Sequence, residues 1–177
     1  MNKPVFTKLS GMEKVENKEI KIEIIGVVHS PFKEAKGTPI QPTAAKDVKG
    51  TIEIKEYFKE GLCDLDGFSH IIVLFGFHAS KGHKLKVKPF LDDKYRGLFS
   101  TRAPNRPSQI GFSIVCLDRI EGNTLHIRGV DMIDGTPVLD IKPYIPTLNP
   151  EGEVRTGWLT KSCHEFDRKK ADKRMLS

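Results

Sequence analysis

Apolar residues along the chain fall into short alternating or continuous runs bounded by turn residues, with almost no long amphipathic helix among them. Ile22 to Val28, IEIIGVV, is β-branched and stops at His29-Ser30-Pro31, where proline pushes its predecessor toward extended geometry. Lys33 to Gly50 carries two prolines, two glycines and little periodic hydrophobicity, which predicts a long and therefore functional loop. Thr51 to Glu56 alternates as a half-buried strand, and Tyr57 to Asp66 predicts a short helical turn. His70 to Phe77, HIIVLFGF, is almost continuously apolar and predicts a central strand buried on both faces. Lys84 to Pro89 is a weaker, basic strand. Ile110 to Asp118 and Thr124 to Val130 flank Gly122-Asn123 as a hairpin, and Val138 to Ile141 is the last run before Pro143 and Pro146. Seven short strands predict an all-β fold, mainly an antiparallel barrel, with short helical turns.

The length of 177 residues suits one domain with an appendage. Residues 1–20 read as a polar extension, 21–147 as the barrel and 148–177 as a basic C-terminal segment. The net charge is +6, and Lys161 to Ser177 holds six Lys/Arg against three Asp/Glu, so half of the excess lies in that tail. Such a tail is either a solvated terminus or an electrostatic foot for RNA. No run approaches the ~20 apolar residues that span a bilayer, and no secretory leader is visible, so we expect a cytoplasmic protein without a membrane partner. Cys63, Cys116 and Cys163 are too far apart for a zinc pair or a disulfide framework. The spacing of His70, His78 and His83 matches no metal signature either, so no metal is expected.

Nucleophile elbows, Walker loops and dinucleotide fingerprints are absent. Special residues concentrate instead in four connecting segments: the Gln41 loop, the Ser69-His70 strand start, the Arg102 loop and the Asp131/Asp134 turn. Gly97 to Gly111, GLFSTRAPNRPSQIG, sets Arg102 and Arg106 among two prolines, predicting a loop of defined path whose guanidiniums suit an anionic ligand. A solvated surface turn is the plainer reading. Asp131 and Asp134 are either turn aspartates or acceptors for ribose or an amine. Phe112 shares a strand face with Ile110 and Ile114, so core packing is its default role and stacking on a base the alternative.

FSTRAPNRP, IGFS and IEGNTLHIRGVDMIDGTPVLDIKPYIP, together with IGVVHSPF, GTPIQP and LDGFSHIIVLF, resemble the TrmO/YaeB-like (TsaA-like) family of S-adenosylmethionine-binding β-barrel proteins. The resemblance runs in order from Ile24 to Pro146. It implies a homodimeric tRNA methyltransferase that methylates N6 of threonylcarbamoyladenosine beside the anticodon, with S-adenosyl-L-methionine as donor. It implies donor contacts at Ile40, Gln41, Pro42, His70, Ile71, Arg102, Phe112, Asp131, Met132, Ile133 and Asp134. Within that reading Arg102 pairs with the donor carboxylate, Asp131 or Asp134 positions substrate or, as a neutral histidine also could, takes the acceptor proton, and Arg106, Lys94 and Arg96 meet the RNA backbone. Family members often read RPNPIG where this chain has Arg106-Pro107-Ser108-Gln109-Ile110-Gly111, a change expected either to loosen the loop or to alter substrate contacts. The competing readings are a donor-binding barrel with another substrate or no catalytic role, and a basic RNA-binding barrel without a donor site.

Overall fold

A computed structural model describes residues 20–149, 152–160, 162, 170 and 171. The extension 1–19, Cys163 and most of the basic tail lie outside the described residues. Eight strands occur in chain order: β1 Gly26–His29, β2 Lys49–Ile54, β3 His70–Gly76, β4 Lys86–Val87, β5 Arg96–Gly97, β6 Ile110–Glu121, β7 Thr124–Arg128 and β8 Pro137–Pro143. Six of them close an antiparallel barrel in the order β1-β2-β7-β6-β3-β8, while β4 and β5 form a separate two-stranded sheet. Helical structure among the described residues is limited to short 3-10 turns, including Glu56–Leu62 and Leu65–Gly67 in the expected Tyr57 to Asp66 stretch.

The core is the inside of the barrel. Val28, Ile52, Ile54, Ile71, Val73, Val115, Leu125, Ile127 and Val138 are almost fully buried there and alternate with outward positions along each strand. Two sequence expectations change accordingly. β3 buries only Ile71, Val73 and Phe75 completely, because a barrel wall has one inner face; Ile72 and Leu74 are half-buried. On β6 the inward set is Gly111, Ser113, Val115 and Leu117, so Ile110 and Phe112 face outward, 38% and 43% exposed. Phe112 is therefore not a core residue.

Antiparallel closure sorts the connections. The register pairs His29 with Thr51, Lys49 with Arg128, Gly76 with Ile110 and Phe75 with Val138. One end of the barrel thus carries residues 30–48, 77–109 and 129–136, and the opposite end carries 55–69 and the Gly122-Asn123 turn. The C-terminal segment returns to the first end: Trp158 donates its indole N–H to the Ser100 carbonyl at 2.9 Å, and Lys170 bridges to Pro39. Among the described residues no helix is long and apolar enough to cross a membrane.

Gly111 sets how the wall meets this end. A Cβ there would stand 2.2 Å from the Phe75 ring, which itself packs edge-on against Phe77 at 5.3 Å. Gly111→Ala is expected to destabilise the fold by about 1–3 kcal/mol through overpacking, read from urea unfolding; unchanged stability would show that the ring moves aside freely.

Candidate active site

The three connections at one end of the barrel enclose a cleft of about 1070 Å³. Its floor combines Gln41 from residues 30–48, Arg102 from 77–109, Phe112 and Ser113 from β6, and Asp131 from 129–136. Arg102 ties these together. Its Nη1 donates to Gln41 Oε1, its Nη2 donates to the Phe112 carbonyl at 2.7 Å, and its guanidinium lies 5.5 Å from the Phe112 ring centroid. Two N–H groups are thereby used in the protein, which leaves others for a ligand in the cleft.

Asp131 sits in the wall opposite. Ser113 Oγ, on the inward face of β6 and 1% exposed, donates to Asp131 Oδ1 at 2.7 Å. Protein surrounds the carboxyl on all sides but the cleft, and this burial pushes its pKa up to about 6, against the opposing pull of Ser113 and of Arg102. Burial likewise draws Arg102 down from its ordinary value while Asp131 raises it. A guanidinium still keeps its charge at neutral pH. The floor therefore offers a fixed cation and a carboxyl that titrates near neutrality.

The Arg102 loop has the defined path that its prolines suggest. Asn105 is 4% exposed and accepts a hydrogen bond from Ser80 Oγ. The Ser108-Gln109 departure does not leave the loop untethered: Gln109 adopts φ +49°, which proline cannot, and donates its backbone N–H to Arg106 O at 3.2 Å and its Nε2 to Ser80 O at 3.3 Å.

Of the residues named from the sequence, Ile40, Gln41, Arg102, Arg106, Phe112 and Asp131 line this cleft, with Pro42 following Gln41 in the same loop. Met132 and Ile133 line a small adjoining hollow with His78 and Ala79. Asp134 is turned toward β1: Lys33 Nζ bonds it at 2.8 Å and the Ser30 N–H at 3.0 Å, which holds its carboxyl below the usual range and makes it a clamp between loops. His70 and Ile71 are not brought to the cleft. They begin β3, whose far end reaches it, and six residues of strand separate the ends by ~20 Å. His70 instead contacts Cys116 Sγ at 3.2 Å and Ser69 Oγ at 2.9 Å, and Ile71 is fully buried in the core.

Two of the expected RNA contacts are engaged within the protein. Arg96 pairs with Asp92 at 2.6 Å and lies over Trp158 at 5.5 Å; Arg106 donates to the Thr101 carbonyl at 3.0 Å and lies over Phe99 at 5.8 Å. Lys94 is exposed and lies outside the cleft lining. Sequence reasoning missed Ser113, Trp158 and His78. Strand alternation past Gly111 could have placed Ser113 inward, and Trp158 is the chain's single tryptophan. Among the described residues no three of His, Cys, Asp and Glu gather closely enough to hold a metal ion.

Residues 27–149 match the model of the tRNA-methyltransferase O N-terminal domain. A probable S-adenosyl-L-methionine-binding protein of Pyrococcus abyssi is 50% identical over 153 residues, covering 86% of this chain and 83% of its own length. A tRNA (adenine(37)-N6)-methyltransferase of Mus musculus is 44% identical over 131 residues, which are 70% of this chain; the chain spans only 30% of that enzyme. The crystal structure of TrmO from Pseudomonas aeruginosa superposes with a TM-score of 0.67 at 36% identity, covering 80% of this chain and 63% of that one.

Asp131 makes stability depend on pH with a definite sign. Its folded pKa lies above its ordinary 3.8, so the folded state binds the extra proton and stability falls as pH rises through that window. Between pH 4 and pH 7 this component is expected to cost up to ~3 kcal/mol at ~1.4 kcal/mol per pH unit. Urea unfolding of wild type and Asp131→Asn across that range checks it: the difference between the two must shrink in the acid. Parallel profiles would refute the placement of Asp131.

Proposed function

The chain belongs to the tRNA-methyltransferase O family, and from that premise we propose that it is an S-adenosylmethionine-dependent tRNA methyltransferase acting on N6 of threonylcarbamoyladenosine next to the anticodon. The observation that carries this reading is that Arg102 and Asp131 line one cleft, close enough for each charge to act on the other. The donor is a zwitterion with a carboxylate, an ammonium, a sulfonium and an adenine. Arg102 has N–H groups left for the carboxylate, and the outward Phe112 offers a ring face to adenine. The cleft volume exceeds what one such molecule fills, which leaves room for a second substrate.

When bound, the donor supplies an activated methyl group. The chain's own contribution is to hold two substrates in line and to manage one proton, and positioning is the larger part of such a transfer. Gln41 and the Phe112 carbonyl fix the guanidinium, so Arg102 orients a carboxylate at little further entropic cost. The acceptor nitrogen lies between a carbonyl and an aromatic ring, which acidifies its proton. Asp131, ionised above pH 6, is the group that receives it. Asp134 is held by Lys33 and the Ser30 N–H and lies outside the cleft lining, which leaves the proton to Asp131. Residues 21–147 form the donor-binding unit, and a homodimer in the cytoplasm belongs to the same reading.

A donor-binding barrel with another acceptor is the second reading, favoured by the P. abyssi relative, which is described only as donor-binding. Incubating the protein with labelled S-adenosylmethionine and threonylcarbamoylated tRNA separates the two. Labelled tRNA is the expected result; donor binding without labelled tRNA supports the second reading. In calorimetry Arg102→Ala is expected to lose ~1.5–3 kcal/mol of donor affinity, and unchanged affinity would remove its role. The initial rate is expected to rise as pH passes about 6 and to lose that rise in Asp131→Asn.

A further inference from the structure

One arm of the cleft is built from residues that the donor does not need. β4 pairs with β5 so that Lys86 faces Gly97 and Val87 faces Arg96, and the Leu98 N–H donates to Leu85 O at 2.9 Å to extend the contact. Lys86 lies on β4 with Lys84 and Lys88 two residues to either side of it, and all three line the cleft. Lys84 and Lys86 have no carboxylate partner among the described residues; Lys88 meets only the fully exposed Asp93, at 3.4 Å. Gly97, opposite Lys86, has no atom within 4 Å of where a Cβ would stand, so the space beside the lysines is open. Along the same arm Tyr95 and Phe99 are 73% and 75% exposed.

Arg106 covers one face of Phe99 and leaves most of the ring to solvent. Residues two apart on an extended chain stand up to ~7 Å apart, the order of the spacing between neighbouring phosphates in an unstacked single strand. A row of cations, two of them without a carboxylate partner among the described residues, beside exposed rings is the arrangement that tracks a single-stranded backbone and stacks its bases. A buried apolar interface would instead exclude unpaired lysines.

We propose that Lys84, Lys86 and Lys88, with Tyr95 and Phe99, form the track on which a single-stranded RNA segment lies as one unstacked base enters the cleft. The proposal rests on the tRNA methyltransferase reading and locates its second substrate. Lys84, Lys86 and Lys88 then add backbone contacts to those expected of Arg96 and Arg106, which also bond within the protein.

The test uses the full chain and a fluorescein-labelled single-stranded oligoribonucleotide in anisotropy titrations at several salt concentrations, beside KM for bulk tRNA. The Lys84→Glu/Lys86→Glu variant is expected to weaken RNA binding at least ~10-fold and to flatten the salt slope by ~1.4, at ~0.7 per lost contact. Tyr95→Ala is expected to weaken binding ~5-fold or more without changing the slope. Gly97→Glu sets a carboxylate across from Lys86 at an ordinary φ of −60° and is expected to act like the charge reversals. Lys55→Glu, at the opposite end of the barrel, should leave RNA binding intact. All variants should keep donor affinity. Unchanged RNA affinity and tRNA KM in the β4 variants, with wild type still methylating tRNA, would overturn the track alone. A fall in assembly mass with RNA binding unchanged would overturn it in favour of a second copy of the chain. Wild type that neither binds RNA nor methylates tRNA would overturn both this inference and the reading beneath it.

Discussion

The contact on which the site depends is the guanidinium of Arg102, bonded at once to Gln41 and to the backbone of Phe112. Barrel closure brings three connections to one end, yet topology alone leaves them as separate loops. Arg102 joins the first to the strand that follows the second, and its charge is felt by Asp131 in the third. Partial desolvation of a guanidinium is costly unless its donors are used and a carboxylate acts on it, and both conditions are met here. Desolvation that raises Asp131 toward neutrality and the fixed cation across from it are two consequences of the same enclosure. Pre-organisation then comes from the protein's own contacts, because Gln41 and the Phe112 carbonyl already hold the orienting group.

Strand alternation accounts for most of what could be read from the sequence. The β6 and β7 runs, their Gly-Asn turn and the turn residues around Asp131 specify the hairpin and the loop beside it without reference to the rest of the chain. The convergence of Gln41, Arg102 and Asp131 was legible as unusual residues in connecting segments, since a closed barrel must gather alternate connections at one end. Direction was harder. His70 is as conspicuous in sequence as His78, yet it starts the strand that His78 follows, and only the register decides which of them shares an end with Asp131. The default reading of Phe112 as core, though not its alternative as a stacking ring, fails for a related reason: counting in twos gives two faces but does not say which is inside, and Gly111 beneath the Phe75 ring settles it.

Long-range contacts carry what local patterns could not supply. β5 is two residues long and exists because Arg96-Gly97 finds Lys86-Val87, so nothing in its own sequence announces a strand. Trp158 reaches Ser100 from 58 residues away, and Lys170 pairs with the loop that bears Gln41, so chain beyond the barrel helps to wall the cleft. The same distance logic separates Asp131 from Asp134. Three residues apart in one turn, they face different neighbours and take opposite electrostatic environments, one desolvated and one saturated by a lysine and a backbone N–H.

A crystal structure of the full chain grown with S-adenosylhomocysteine tests the central claim most directly, because it asks where the donor lies without requiring turnover. The expected result is the amino-acid carboxylate against Arg102, with the adenine on Phe112 and the Asp131 carboxyl exposed to the same chamber. Density at the opposite end of the barrel, beside His70 and Cys116, or a donor in the cleft with no contact to Arg102, would contradict it.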